Sequence, residues 1–420
     1  MARITFLIEH EEGHLNPTFR LARRLQARGH VVTYIGLADG ANYIRTQGFD
    51  FRPILEKLVP AGSFRTQREV AETVPGLRDS GAEMRRALQG GPTSIYHDTW
   101  HAMVAGDETL EEAMGALRPD VLLLTSFFAP LALLLRYRYR VPTVLLTPML
   151  RTYAKSHYAG MLGDLLLESG GAAGDFIELV QRADPAVRHM DDIAARMTAL
   201  RELILCPADL EVPAERHDRE PEVHYVEASV DLERRSERAF PWDLLDPGRK
   251  LLYVSLGSQT YRSDRERITA FLRATGEAFA GRPDWQVVLA TGGLLREEEL
   301  AAPAGTIVAV WAPQLDLLRR ARVAITHGGL GTVKECIFFG VPMCVFPLSH
   351  DQPDNARRVV HHDLGSRGDL ASFSAETIYG LVEHADHPTR RANVERMQRR
   401  FIAAEEAGSA CRLIEEVLSH

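Results

Sequence analysis

The chain has 420 residues, 45% hydrophobic and 25% charged, a composition that excludes a disordered protein and leaves the fold class open. A formal charge of −8 argues against general nucleic-acid binding, because neutralising phosphates takes a basic surface. Such a length sets a prior of two domains, each large enough for its own core.

The first residues pass from a short apolar run straight into charged ones, which reads as an opening strand, 3–8, and not a signal peptide. Glu11-Glu12-Gly13-His14 then form a loop of the kind in which open α/β sheets place functional groups. A helix is expected to begin at Asn16-Pro17, with Asn16 as cap and Pro17 in the first turn, where its missing N–H is harmless. Phe19, Leu21, Ala22 and Leu25 supply its buried face, and Gly29 ends it. A second strand over 31–36 completes a right-handed parallel crossover.

Residues 55–118 show little period. Apolar runs at 120–124 and 141–146 read as buried parallel strands. Between 151 and 171, Tyr153, His157, Tyr158, Met161 and several leucines either line an apolar pocket or form a helix packing face. A strand over 203–206, stopped by Pro207, is the expected last strand of the first domain. The polar stretch 213–247, with a possible strand at 223–226, reads as the interdomain connection. The expected division is therefore 1–214, a linker 215–248, a second domain 249–400, and a C-terminal helix 401–420 that can pack back on the first domain.

Residues 251–258 open a second strand–turn–helix unit through Gly257 and Ser258, and 287–290 is a further strand. The strand 323–326 runs into His327-Gly328-Gly329-Leu330-Gly331-Thr332, and a helix over 333–339 closed by Gly340 leads to a strand over 341–346. Glycines at such a turn let a ligand approach the backbone, and the N–H groups of the helix start favour an anion, most naturally a phosphate. A helix over 396–417 ends the chain. Two successive sets of alternating strands and helices predict an α/β protein of two Rossmann-like, doubly wound domains facing a cleft. No apolar run approaches the roughly 20 residues of a membrane-spanning helix. The four cysteines, Cys206, Cys336, Cys344 and Cys411, include no Cys-x-x-Cys pair, as expected of a reduced, cytoplasmic protein.

The neighbours of the glycine turn carry a resemblance. Trp311-Ala312-Pro313-Gln314, His327-Gly328-Gly329, Glu335, Asp351-Gln352 and Asn355 closely resemble the nucleotide-sugar motif of the UDP-glycosyltransferase superfamily, the GT-B group that includes plant and bacterial antibiotic glycosyltransferases. The resemblance implies a donor site made of these residues with Gly257, Ser258, Gly331 and Thr332. A Trp face can stack on the base, a helix carboxylate can bind ribose hydroxyls, and the Asp-Gln pair can hold the sugar. Gly13-His14-Leu15-Asn16-Pro17 resembles the Gly-His-x-x-Pro turn of bacterial relatives, which makes His14 the expected general base.

The implied activity is inverting transfer of a sugar from a UDP- or dTDP-sugar to a hydroxyl of a lipophilic small molecule such as a macrolide, polyketide or phenol. No metal and no cofactor beyond that co-substrate is expected, and the chain carries no Asp-x-Asp triplet. The expected partners are these small molecules, without nucleic acid or an integral membrane segment, in a monomer or homodimer. A sterol or lipid glucosyltransferase and a catalytically weak donor-binding protein are the alternatives. One departure stands out. Many relatives orient the His with an Asp at a strand end about a hundred residues on, and here that position falls nearest Thr125, with Asp98 of His97-Asp98 as a possible substitute.

Overall fold

A computed structural model describes residues 1–63, 95–151, 154–168, 170–233, 240–257 and 264–419. Ser258 and Tyr153, both singled out above, lie outside the described residues. Among the described residues, seven strands form the first sheet: β1 (Arg3–Leu7), β2 (Val31–Gly36), β3 (Asp50–Pro53), β4 (Val121–Thr125), β5 (Thr143–Thr147), β6 (Arg201–Ile204) and β7 (Val223–Tyr225). Six more form the second: β8 (Lys250–Ser255), β9 (Trp285–Ala290), β10 (Thr306–Ala309), β11 (Ala321–Thr326), β12 (Met343–Val345) and β13 (Gly365–Arg367). The strand orders are β3-β2-β1-β4-β5-β6-β7 and β10-β9-β8-β11-β12-β13, and every pairing is parallel.

Parallel sheets need cover on both faces, and the sequence supplies it by alternation within runs that are apolar throughout. Val121 and Leu123 enter a cluster with Ile4, Phe6, Phe19 and Leu25 on one face of the first sheet. Leu122 and Leu124 point to the other face, among Leu7, Leu133, Leu145 and Trp100. The second sheet divides in the same way, with Tyr253 and Ala324 on one face and Leu252, Val254 and Ile325 on the other.

Four sequence expectations change. The first helix spans Glu12–Ala27 and starts well before Asn16, so His14 lies in its first turn and Pro17 lies inside it. Glu12 favours that earlier start by facing the positive end of the helix dipole, and Asn16 accepts a hydrogen bond from Tyr43 at 2.6 Å in place of capping. The last strand of the first sheet is β7 and not 203–206, so the region expected to be linker contributes an edge strand. The C-terminal helix is two, Pro388–Ala407 and Ser409–Leu418, broken where Gly408 takes a φ of 56°. Strands β3, β10 and β13 were not expected at all. The second of the C-terminal helices buries Ala410, Cys411 and Ile414 in the core of the first sheet, and Glu415 pairs with Arg28 at 2.5 Å.

In each sheet the order reverses beside its first strand, between β1 and β4 and between β8 and β11. Open α/β sheets bind ligands in the crevice at such switch points, beyond the C-terminal strand ends. The residues just past β1, β4, β8 and β11 are therefore the ones whose chemistry counts.

Candidate functional site

His327 follows β11 directly and is 9% exposed. Burial pushes its pKa down to about 4, so near neutral pH it is an uncharged ring that offers one N–H. The neighbouring glycines are required by that ring. A Cβ at Gly257, past β8, or at Gly329 would collide with the imidazole. Gly328, at φ 88°, packs against Val345 and the backbone of Gln352, where a side chain would not fit. Gly331 differs: a Cβ there would meet nothing within 4 Å, so its small size keeps space open at the helix start. The helix Leu330–Phe338 has no side-chain cap at Gly329, which leaves its first N–H groups for a ligand.

Gln314, Thr332 and Glu335 form one cluster. The Gln314 amide donates to the Glu335 carboxylate and lies 3.4 Å from Thr332 Oγ1, while Tyr253 donates to Gln314 Oε1 at 3.2 Å. Trp311 and Ala312, after β10, are partly exposed beside this cluster's first residue. On the far side, Asn355 Nδ2 donates to Asp351 Oδ2 and to Gly328 O, both at 2.9 Å. Gln352 Oε1 accepts from the backbone N–H groups of Leu348 at 2.8 Å and Ser349 at 3.0 Å, so only its NH₂ is left for a sugar hydroxyl. Burial raises the Asp351 pKa, while the Asn355 hydrogen bond and the Arg358 charge act the other way.

The base half is held differently from the sequence expectation. Thr125 Oγ1 is buried without a hydrogen-bond partner among the described residues, so it does not orient His14. Asp98 is exposed near the start of the helix Ile95–Ala105, and no contact joins it to His14 among the described residues. The carboxylate that faces His14 Nδ1 is Glu9, in an ion-pair contact that falls outside hydrogen-bond geometry. The pairing Leu7↔Leu124 explains the exchange: the chain just past β1 runs level with the end of β4, so a carboxylate from either strand end can serve. Burial lowers the His14 pKa, but the Glu9 contact and the charges of Glu9, Glu11 and Asp351 outweigh it and leave it raised. The Phe127 ring stacks on the imidazole with centroids 5.0 Å apart and covers one of its faces. Sequence reasoning missed Glu9, although an acidic run directly after the first strand was there to be read.

Solved structures align over the whole of this arrangement. The glycosyltransferase of kitacinnamycin is 26% identical, covers 99% of both chains and superposes with a TM-score of 0.69. The calicheamicin glycosyltransferase superposes at 0.70 over 100% of this chain and 99% of its own, at 24% identity. This chain's two parallel sheets, each reversing order beside its first strand, are the two Rossmann-like domains of the GT-B fold that these glycosyltransferases share. Residues 245–398 match the family model of UDP-glucuronosyl and UDP-glucosyl transferases. Demethyllactenocin mycarosyltransferase of Streptomyces fradiae is 28% identical over 100% of this chain and 87% of its own. Oleandomycin glycosyltransferase of Streptomyces antibioticus is 28% identical over 97% and 88%. Over its whole length the chain is thus similar to bacterial antibiotic glycosyltransferases, and residues 245–398 carry the UDP-glycosyltransferase pattern.

Proposed function

We propose that the enzyme transfers a hexose, with inversion and without a metal, from a UDP- or dTDP-sugar to a hydroxyl of a lipophilic natural product, a macrolide or related polyketide before a simple phenol. His14 takes the acceptor proton as the oxygen attacks the anomeric carbon. The bond from that carbon to the diphosphate oxygen breaks on the opposite face. The leaving diphosphate is received by the helix start at Leu330–Phe338, His327 and Thr332, donors that need no reorganisation as charge develops. Trp311 stacks on the base, Glu335 holds the ribose with Gln314 beside it, and Asp351 and the Gln352 amide hold the sugar. The observation that carries this reading is the turn past β11, where His327 is packed against Gly257 and Gly329 beside the open start of the helix Leu330–Phe338. The macrolide preference rests on the two Streptomyces relatives, whose names tie them to macrolide antibiotics. A cytoplasmic setting agrees with four free, buried thiols. Among the described residues no helix is long and apolar enough to cross a membrane.

Nucleotide release, measured with UDP- and dTDP-glucose against a panel of macrolide aglycones, phenols and sterols, tests the reading. Turnover on macrolides is expected. Turnover confined to sterols supports a lipid glucosyltransferase, and nucleotide binding without release supports a non-catalytic protein.

Two further outcomes follow. Activity should survive EDTA, and a complete loss restored by magnesium or manganese would overturn the metal-free mechanism. His327→Ala and Glu335→Ala should each raise the donor KM by about tenfold, the size of one lost hydrogen bond to a charged or ribose group. Negative charge grows on the leaving diphosphate oxygen as the bond breaks, so the His327 loss should also lower kcat. Unchanged donor kinetics in both variants would contradict the donor-site assignment.

A further inference from the structure

Asp351 is held by a chain of contacts that ends in the other half of the molecule. Arg358, in the helix Gln352–His361, is 1% exposed and pairs with the fully buried Glu211 at 2.7 Å and 3.1 Å in a two-pronged contact. Glu211 lies just past β6 of the first sheet, and its Oε1 also accepts from the Val212 N–H at 2.9 Å. The second prong of contact is local: Arg358 Nη1 donates to Asn355 Oδ1 at 3.1 Å. An arginine has only donors, so the Asn355 oxygen must face it. The Asn355 NH₂ is thereby aimed at Asp351 and at the carbonyl of Gly328, the two partners it contacts.

The same stretch past β6 touches the second half repeatedly. Lys334 Nζ donates to Leu205 O at 2.7 Å, His362 Nε2 lies 3.0 Å from Leu210 O, and Arg357 pairs with Glu215 at 2.6 Å. A strut between the two halves needs none of these contacts to reach the sugar loop. Only the Glu211–Arg358 pair continues into Asn355.

We propose that Glu211 and Arg358 are positioning residues for the donor sugar: Glu211 fixes Arg358, Arg358 fixes the rotamer of the Asn355 amide, and Asn355 aims the Asp351 carboxylate. Correct seating of the stretch past β6 against the second half is thus a condition for sugar binding. The inference rests on the reading of Asp351 as a sugar ligand. It predicts a defect greatest in sugar binding, because the chain ends on Asp351 and meets the diphosphate turn through the Asn355 bond to the Gly328 carbonyl, while the base and ribose are assigned to Trp311, Gln314 and Glu335.

Removing one charge alone would strand its partner in the core and threaten folding. The double variant Glu211→Leu/Arg358→Met removes both and keeps apolar volume, an exchange that buried pairs often tolerate. Thermal-shift titrations with UDP, dTDP and their glucose conjugates are compared in wild type, the double variant, Asn355→Ala and Asp351→Asn. The double variant is expected to keep its Tm and its affinity for the bare nucleotides. Its affinity for the nucleotide sugar should fall about tenfold to hundredfold, the range for one hydrogen bond to a charged group, with donor KM rising in step. Asp351→Asn should show the same selective loss, and Asn355→Ala the same loss of sugar affinity with a smaller loss for the bare nucleotides, because it also frees the Gly328 carbonyl. Equal weakening of nucleotide and nucleotide sugar, or a lower Tm with sugar affinity intact, would reduce the pair to a strut and overturn the proposal. Intact sugar affinity in Asp351→Asn would instead overturn the donor-site reading, and the proposal with it.

Discussion

His14→Ala is expected to lower turnover by roughly 10²–10⁴, the usual range for removing a general base, and to leave donor binding almost unchanged. The split follows from where the residues sit. His14 lies past β1 of the first sheet, whereas His327, Gln314, Glu335 and Asp351 belong to the second. The size should depend on the acceptor. An acidic phenol loses its proton without help, while an aliphatic hydroxyl on a macrolide needs a base at the moment of attack. Full turnover of His14→Ala on an aliphatic alcohol, with donor affinity intact, would move the base elsewhere. Glu9 and Glu12 would then be the carboxylates to test, since Asp98 is exposed on a separate helix.

Much of the donor half was legible because its signal is local. A β-branched strand, a glycine turn and a helix start occupy consecutive residues, and the chain from β11 to the helix Leu330–Phe338 forms as that pattern predicts. The strands flanking each switch point were legible for the same reason: the run from Val121 to Leu124 is apolar at every position, as a strand in a sheet covered on both faces needs. The edge strands β3 and β13 were not, whereas β7 matches the possible strand at 223–226. Asp50–Pro53 and Gly365–Arg367 are short, polar and paired on one side only, so their strand character comes from the neighbour and not from composition. The early helix start was hidden by Pro17, which sequence rules place at the first position of a helix. Here the first turn is instead set by Glu12 and by the hydrogen bonds of His14 and Leu15 to Glu11 O, at 2.9 Å and 3.0 Å.

The partner of the base was illegible for a deeper reason. It depends on which strand lies beside β1 and at what register, and a single sequence records neither. Once Leu7 and Leu124 are paired, the tip of β1 and the tip of β4 become interchangeable sources of a carboxylate. The chain carries Thr125 at the end of β4 and Glu9 just past the end of β1. The contact between Arg358 and Glu211 was hidden likewise, since 147 residues separate the two.

Glu9→Gln separates an orienting charge from a merely structural side chain. The glutamine keeps the size and removes the charge, so burial is left as the main influence on the imidazole. The His14 pKa, raised above the ordinary 6.5 in the native protein, should then fall. A general base works in its neutral form, so activity rises as pH climbs through that pKa. The acid limb of kcat/KM should therefore move to lower pH in Glu9→Gln. Its plateau should move the other way, down by up to about 10², because the imidazolium formed during attack loses its counter-charge and the base is weaker. The two effects oppose each other, and a variant that only loosens the loop would lower the plateau while leaving the limb in place. Glu9→Asp, which retains the charge on a shorter arm, should keep the limb close to native and recover part of the plateau. An unmoved limb in Glu9→Gln, measured on an aliphatic acceptor with donor saturating, would mean that Glu9 does not set the protonation of His14.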